Sequence, residues 1–288
     1  MTNRQLIMGS PENGGDAGAN TTYTITASEP GVLHLDSLVL QIGYVEATNT
    51  PSPDLTPFGS ITSMLVYNAI ELLRGRNTPV GPAGALSGYR GINALRMGDW
   101  KVQAGDTFAL TFDDDSVNGN ATRGSIAAAF SPAMRRGGVA EPTGPSTYAA
   151  SPVVDLAAGG VGTATLTFDE DGVFSLSSIQ SRVMMDLVAD GAAATGPWID
   201  ASPITQITSI TLPTGNAVVI GQNTPVCPAT FFSAGLRSYS FAELGAISVS
   251  AGDTLAIAYD YDDTDVGATA SFGGRFYPAA PVARGGRC

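Results

Sequence analysis

Short stretches of the chain alternate large apolar residues with small or polar ones. The clearest are residues 107–112 (TFALTF) and 254–259 (TLAIAY). Because successive side chains of a strand point to opposite faces, a period of two predicts strands that are buried on one side only. About six to eight such stretches in each half of the chain, separated by Gly, Pro and Asn turns, predict an all-β protein of jelly rolls or β-sandwiches.

The same short motifs occur twice along the chain. Asn-Thr-Pro-Val stands at 77–80 and again at 223–226, an offset of 146, and Ala-Gly-Asp-Thr stands at 104–107 and again at 251–254, an offset of 147. A nearly constant offset between separate anchors predicts the tandem duplication of one domain rather than a short repeat. Ala-Gly-Asp-Thr is typical of a tight turn, which we expect to join two antiparallel strands.

The anchors divide the chain into five segments. We predict an N-terminal arm over 1–20, a first jelly-roll domain over 21–138, a linker over 139–160, a second jelly-roll domain over 161–283 and a C-terminal tail over 284–288. Each domain is large enough to bury its own core. The linker is assigned because Gly, Pro, Ala and Ser dominate its composition.

Composition limits the classes of function. The formal net charge is −12 and the pI is near 4.3, which argues against a nucleic-acid-binding surface, because such surfaces cluster Lys and Arg. Cys227 and Cys288 are too few for a disulfide framework, so we expect free thiols. We also expect neither a signal peptide nor a transmembrane helix, because the apolar stretches are too short.

The order of these features resembles the double jelly-roll major capsid proteins of tailless icosahedral viruses, the tectivirus and corticovirus lineage. A polar strand that ends in a Gly turn occurs at 22–31 and at 163–172, where the two copies match at an offset of 141. Ile-Thr-Ser strands leading to a hairpin follow at 61–75 and at 207–221, and the Ala-Gly-Asp-Thr turn comes next. The resemblance spans residues 21–283.

This resemblance implies a structural role in a virion. Three copies of a two-barrel chain would place six similar barrels around a three-fold axis, so the homotrimer would look hexagonal and could tile an icosahedral shell. The implied partners are further copies of the chain, other virion proteins and an internal membrane beneath the shell. The implied location is the capsid, assembled in the host cytoplasm.

The repeated Asn-Thr-Pro-Val region is the candidate for contacts in such an assembly. We expect residues 77–85 and 223–230 to contribute contacts between barrels or between subunits, because both copies keep the motif. A turn that each barrel needs for its own folding is an equally good interpretation.

Enzymatic function finds little support in the sequence. His34 is the single histidine, so the chain cannot form a His cluster for zinc and could offer a Ser-His-Asp triad only that one base. Phosphate-binding loops, nucleophile elbows and zinc-protease motifs are missing. We therefore predict that the protein is not an enzyme, and that His34 faces solvent on a strand.

Acidic clusters after two equivalent strands are the remaining chemical signal. Asp113 and Asp115 follow one strand, and Asp260 and Asp262 follow its copy. Carboxylate oxygens suit Ca²⁺, so these four residues are the candidate metal ligands. Solvated turn carboxylates are the alternative, and no other cofactor is expected.

A second class of function stays open at this point. A phage spike or fibre, or another tandem β-sandwich that binds a receptor or a carbohydrate, would show a similar strand pattern. Sugar sites need flat aromatic platforms. The candidate platforms are Trp100, Trp198, Tyr89 and Tyr239, although Trp100 begins a strand and is expected in a core.

Overall fold

The computed structural model of the chain describes residues 6–10, 13–15, 20–44, 59–82, 86, 97–113, 122–134, 138–185, 199–202, 205–232, 244–261 and 267–279. Strands dominate these residues. Two short 3-10 helices, Leu176–Ser178 and Ala229–Phe232, accompany them, and none of the described residues is α-helical. In this part of the chain, no helix has the length and apolar character needed to cross a lipid bilayer.

Among the described residues, ten strands lie in the first half of the chain. They are β1 (Leu6–Gly9), β2 (Asn13–Gly15), β3 (Asn20–Thr26), β4 (Gly31–Tyr44), β5 (Ser60–Val66), β6 (Ile70–Glu71), β7 (Gly81–Pro82), β8 (Asp99–Val102), β9 (Thr107–Asp113) and β10 (Thr122–Pro132). One sheet has the order β1-β10-β4-β8, and β3, β9, β5 and β7 pair in that order in the second sheet.

The described part of the second half contains twelve strands. They are β11 (Thr147–Ala150), β12 (Val154–Leu156), β13 (Val161–Thr167), β14 (Gly172–Ser175), β15 (Gln180–Met185), β16 (Ile199–Asp200), β17 (Thr205–Thr211), β18 (Val219–Ile220), β19 (Cys227–Pro228), β20 (Ala246–Val249), β21 (Thr254–Tyr261) and β22 (Ala268–Pro278). In one sheet β22 pairs with β11 on one side and with β14 and β15 on the other, and β20 follows β14. The second sheet has the order β13-β21-β17-β19.

Both halves therefore have the strand connectivity of a jelly roll, in which two four-stranded sheets face each other across a core. Alternating side chains from both sheets fill that core. Tyr23, Phe108 and Phe112 are fully buried in the first half, and Phe174 and Tyr259 are fully buried in the second. The prediction of an all-β jelly-roll or β-sandwich fold is confirmed.

Corresponding strands of the two halves pair in the same register. Three sets of equivalent pairs are Leu6 with Phe130 and Thr147 with Phe276, Thr22 with Thr111 and Thr163 with Ala258, and Gly31 with Val102 and Gly172 with Val249. The register shift that marks a β-bulge also recurs, at Thr62 in β5 and at Thr208 in β17. We call two residues counterparts when they hold the same register position in the two halves, or when they stand at the same offset as a neighbouring register position or repeated motif.

The Ala-Gly-Asp-Thr turns have the geometry that the sequence predicts, but a different role. Gly105 and Gly252 have φ angles of 93° and 91°, which only glycine adopts readily. The Asp106 carboxylate accepts a hydrogen bond from the N–H of Gln103 at 2.7 Å. The strands joined by each turn belong to opposite sheets, so the turn carries the chain across the sandwich rather than closing a hairpin within one sheet.

Strands are also present where the sequence predicts an arm and a linker. Residues 1–20 contain β1 and β2, which pair with β10. Residues 139–160 contain β11 and β12, which pair with β22. Glu141 is tied to the same strand, because its carboxylate accepts hydrogen bonds from the hydroxyl of Tyr277 at 2.9 Å and from the guanidinium of Arg275 at 2.8 Å.

Candidate assembly surface

The candidate calcium ligands are only partly within the described residues. Asp113 ends β9 and Asp260 lies near the end of β21, and the two are counterparts in different sheets. Asp115 and Asp262 lie outside the described residues. Among the residues that are described, no group of three or more His, Cys, Asp and Glu side chains is placed to hold a metal ion. The calcium sites therefore stay a prediction.

His34 forms a chain of hydrogen bonds that the sequence did not indicate. Its Nδ1 lies 2.7 Å from Oδ1 of Asp99, and its Nε2 lies 2.8 Å from the hydroxyl of Ser131. The order Ser-His-Asp is that of a hydrolase triad. The prediction that His34 simply faces solvent is therefore too simple, because its side chain is mostly buried between these two partners.

The setting of this chain differs from that of a catalytic triad. The three residues come from adjacent antiparallel strands, β8, β4 and β10, and cross-strand neighbours on one face of a sheet contact each other in this way without any chemistry. A triad carboxylate is buried, whereas 64% of the Asp99 side chain is exposed. The arrangement is better explained as a cross-strand ladder that joins three strands.

The aromatic platforms of the alternative function are not assembled in the described residues. Trp100 is half-buried, its indole N–H donates to the carbonyl of Met97 at 2.9 Å, and its ring packs edge-on against Tyr67 at 6.0 Å. Trp198, Tyr89 and Tyr239, the other three candidates, lie outside the described residues.

The described residues also form a contact between the two jelly rolls. β1 belongs to the first half, yet its outer edge pairs in parallel with β18 of the second half, with Ile7 opposite Val219. The N–H of Ile7 donates to the carbonyl of Val218 at 3.1 Å. Ile7, Val218 and Val219 are buried, so main-chain pairing and apolar packing act together along this contact.

Buried polar groups extend the contact away from β1. The Gln41 side-chain oxygen accepts hydrogen bonds from the N–H and the hydroxyl of Thr230 at 3.1 and 2.6 Å, and its amide donates to the carbonyl of Thr205 at 3.3 Å. The hydroxyl of Ser125 donates to Gln206 at 2.6 Å. A buried polar group is costly unless it is paired, so these bonds specify one way of joining the two barrels.

The rim of the contact involves the repeated Asn-Thr-Pro-Val region. The N–H of Val226 donates to the carbonyl of Ser10 at 3.3 Å, and the N–H of Gln222 donates to the carbonyl of Thr26 at 3.3 Å. Gly9 lies so close to Val226 that a Cβ on Gly9 would stand 1.6 Å from the Val226 carbonyl oxygen. The expectation that residues 223–230 contribute contacts between barrels agrees with these bonds.

The two jelly rolls meet through different surfaces. The first uses the outer edge of β1, and the second uses the segment around β18 together with the residues that follow it. A contact of this kind is heterologous, which means that each unit keeps the other surface available for a further unit. Sequence analysis missed β1 as a participant because Leu-Ile-Met-Gly at 6–9 shows no alternation.

Comparisons with known proteins give weak likenesses. No family model matches the chain and no curated protein matches it. The major capsid protein P2 from bacteriophage PM2 is 10% identical, with 94% of this chain and 99% of that chain aligned at a TM-score of 0.23. The STIV MCP is 9% identical, with 94% and 97% aligned at a TM-score of 0.22.

A third solved structure aligns with this chain over only part of its own length. BuGH86 in complex with neoagarooctaose is 11% identical, with 92% of this chain but only 33% of that chain aligned, at a TM-score of 0.18. TM-scores as low as these three assign no function. Support for a function therefore has to come from the geometry of this chain.

Proposed function

We propose that this chain is a structural virion protein: the major capsid protein of a tailless icosahedral bacteriophage, whose homotrimers look hexagonal and tile the shell. The proposal includes a tandem duplication, in which each jelly roll descends from one ancestral module. The common registers support modules that begin with β1 and β11 and end with β10 and β22. The predicted arm and linker would then contain the first strands of the two modules.

The heterologous contact between the jelly rolls is the observation that carries this proposal. Two barrels of equal topology stand next to each other and are joined through main-chain pairing and buried hydrogen bonds. A heterologous contact that is repeated between copies closes a ring when its rotation permits. Three chains would then supply six similar barrels, which is a unit that can cover a shell with repeated contacts.

The remaining parts of the proposal concern location and chemistry. Assembly would occur in the host cytoplasm, and the mature protein would lie in the capsid beside other virion proteins. A net charge of −12 disfavours direct genome contact, which is the reason to include an internal membrane beneath the shell. The protein would have no enzymatic activity, and Ca²⁺ at Asp113, Asp115, Asp260 and Asp262 would be its one cofactor, which a chelator should reveal as a lower Tm.

Light scattering coupled to size-exclusion chromatography, with negative-stain images of the eluted material, tests this proposal. We expect the purified full chain to elute as a trimer, and concentrated samples to form hexagonal tiles or closed particles. A protein that remains monomeric at every concentration and salt condition would overturn the proposal. If that monomer bound glycans on an array, a tandem recognition module of a spike or fibre would replace it.

A further inference from the structure

The outer edges of β1 and β11 are counterparts, but among the described residues only the edge of β1 pairs with a further strand. β1 pairs with β10 on one side and with β18 on the other. β11 pairs with β22 on one side, and in the described residues no strand pairs with its other side. Building on the proposed function, we infer that the open edge of β11 binds residues 72–74 of a second copy of this chain, as β1 binds residues 218–220.

Apolar side chains on and next to β11 are exposed, unlike the corresponding side chain of β1. Ile7 is fully buried at the contact between the barrels, whereas its counterpart Tyr148 is 60% exposed. Val153, in the link between β11 and β12, is 67% exposed. Exposed aromatic and aliphatic side chains on an unpaired strand edge are typical of a surface that another chain covers.

Residues 72–74 and the Asn-Thr-Pro-Val segment that follows them, which would bind β11 of another copy, are also more exposed than their counterparts in the second half. Val226 is 9% exposed where it meets the first barrel, whereas its counterpart Val80 is 59% exposed. Leu73, the counterpart of the buried Val219, is only half-buried. This difference supports the expected role of residues 77–85 in contacts between subunits, although 83–85 lie outside the described residues.

The main chain of this surface already has the conformation that binds β1 in the second half. The N–H of Leu72 donates to the carbonyl of Met64 at 2.8 Å, and the N–H of its counterpart Val218 donates to the carbonyl of Ile210 at 2.8 Å. Asn77 and Thr78 have positive φ angles, as Asn223 and Thr224 do. A surface that is organised in advance loses less conformational entropy when it binds.

Glu71 adds to this organisation in the first half. Its carboxylate accepts hydrogen bonds from the hydroxyl of Ser63 at 2.6 Å and from the N–H groups of Met64 and Leu73 at 2.8 and 2.9 Å. Partial burial raises the pKa of Glu71, but these hydrogen bonds together lower the pKa below its usual value. The counterpart Ala217 has no carboxylate, and there β1 itself holds the segment.

Residues of opposite charge would meet at the rim of the inferred contact between copies. Gln222 donates hydrogen bonds to the carbonyls of Thr26 and Ala27. Its counterpart is Arg76, and the counterparts of Thr26 and Ala27 immediately precede Asp169 and Glu170. All three of these charged residues are exposed. The inferred contact therefore places a cation of one copy beside two carboxylates of the next.

At two positions the counterpart residues differ in a way that should make the contact between copies looser than the contact within a chain. Gly9 has no room for a Cβ, and its counterpart is Ala150, so the two backbones must lie further apart there. The buried Gln41 is replaced by the exposed Arg182. A more polar and less tightly packed interface is typical of units that associate after folding.

Charge reversal with rescue tests the inferred contact in the full chain. We expect Arg76→Glu to raise the concentration needed for trimer formation at least about ten-fold, because like charges then face each other. The combined change Asp169→Lys and Glu170→Lys should do the same, and all three changes together should restore assembly. Lys101→Glu, on an exposed residue of β8, is the matched control and should leave trimer formation unchanged.

Cross-linking gives an independent readout. Tyr148→Cys and Leu73→Cys would be introduced on separate chains that also carry Cys288→Ser, and the two proteins would be mixed and treated with a short bis-maleimide. A covalent dimer is expected from this mixture and not from a mixture of Met134→Cys with Leu73→Cys. A wild-type trimer with neither cross-link nor charge effect would overturn the inference and leave the proposed function standing, whereas a wild-type monomer would overturn both.

Discussion

Ser37 and Ser178 make the same hydrogen bonds in the two halves, although their neighbours differ. The Ser37 hydroxyl donates to the carbonyl of His34 at 2.6 Å and accepts from the N–H of Ala129 at 2.7 Å. The Ser178 hydroxyl makes the equivalent two bonds at 2.8 and 2.6 Å. Each serine lies where the strand beside β10 or β22 leaves regular pairing, so its hydroxyl replaces a missing main-chain partner.

Other counterparts in the two halves differ in both residue type and neighbours. His34 is linked to two polar side chains, whereas its counterpart Ser175 is fully buried. Ile7 and Tyr148 also differ, because Ile7 is packed against the second barrel and Tyr148 is exposed. Main-chain groups that need a partner fix the residue type in both halves, while positions that meet different neighbours change with those neighbours.

Glycine positions give the strongest test of equivalence. A Cβ on Gly31 would lie 2.4 Å from the Phe130 ring and from the Ser131 carbonyl oxygen, and a Cβ on Gly172 would meet the corresponding atoms at 2.5 Å. We expect Gly31→Val and Gly172→Val each to lower the free energy of unfolding by about 3 kcal/mol, because backbone atoms cannot move away cheaply. Urea unfolding measures both losses.

The control for these two variants is Gly144→Val. A Cβ on Gly144 meets no atom within 4 Å, so its effect should stay within about 0.5 kcal/mol. If one glycine variant proved neutral while the other unfolded the protein, the two halves would not be energetically equivalent at this position.

Replacing Ser37 should lower the free energy of unfolding more than replacing Ser178. Ser37→Ala leaves the N–H of Ala129 without its acceptor at a site where Ser37 is only 6% exposed, so we expect a loss of about 2 kcal/mol. Ser178 is half-buried, so water can replace its hydroxyl and the loss should be about 1 kcal/mol. Thermal unfolding compares the two variants with Ser146→Ala at an exposed position. Equal losses for the two variants would show that burial of the serine does not determine how much its hydroxyl contributes to stability.

The strands that the sequence predicts are those with one buried face. Residues 107–112 and 254–259 alternate because β9 and β21 each cover one core. β1 is buried at all four positions, since it lies between two barrels, and β11 is mostly exposed because no strand in the described residues pairs with its outer edge. Neither strand alternates, which is why the sequence predicts an arm and a linker there.

Contacts between residues that are far apart in the chain also could not be predicted from the sequence. The partners of His34 stand 65 and 97 positions away, and only the pairing of β8, β4 and β10 brings them together. Gln41 and Thr230 are 189 positions apart, and no local pattern links them. The repeated Asn-Thr-Pro-Val motif, by contrast, could be recognised in the sequence, because a turn with positive φ angles depends on its own residues.

Glu71 should stabilise the first barrel in a way that depends on pH, and Ala217, its counterpart, cannot do so. The pKa of Glu71 lies below its usual value of 4.5 because of the hydrogen bonds that its carboxylate accepts. A carboxyl group of this kind stabilises the fold above its unfolded pKa, and the contribution is lost as the pH falls through the folded pKa. Glu71→Gln should therefore cost about 1 kcal/mol at pH 7, allowing for solvent screening.

A pH series of unfolding curves checks this effect. The difference between wild type and Glu71→Gln should shrink below pH 4.5 and vanish once the carboxyl group is protonated in both states. Ala217→Gln, at the counterpart position, is the control and should show no pH-dependent difference from wild type in this range. A difference for Glu71→Gln that stayed constant down to low pH would mean that the charge of Glu71 contributes nothing.

The smallest effect is expected at His34, whose hydrogen-bonded ladder has no equivalent at its counterpart Ser175 in the described residues. If Ser131, His34 and Asp99 form a cross-strand ladder, His34→Ala should cost about 0.5–1 kcal/mol, because the ladder is partly exposed and water can satisfy its partners. Assembly should be unchanged. A fluorophosphonate probe should leave Ser131 unmodified in the wild-type protein, since a serine that is not activated as a nucleophile reacts too slowly. Labelling of Ser131 that His34→Ala abolished would show that the ladder is a working triad, and the proposal of a purely structural protein would fail.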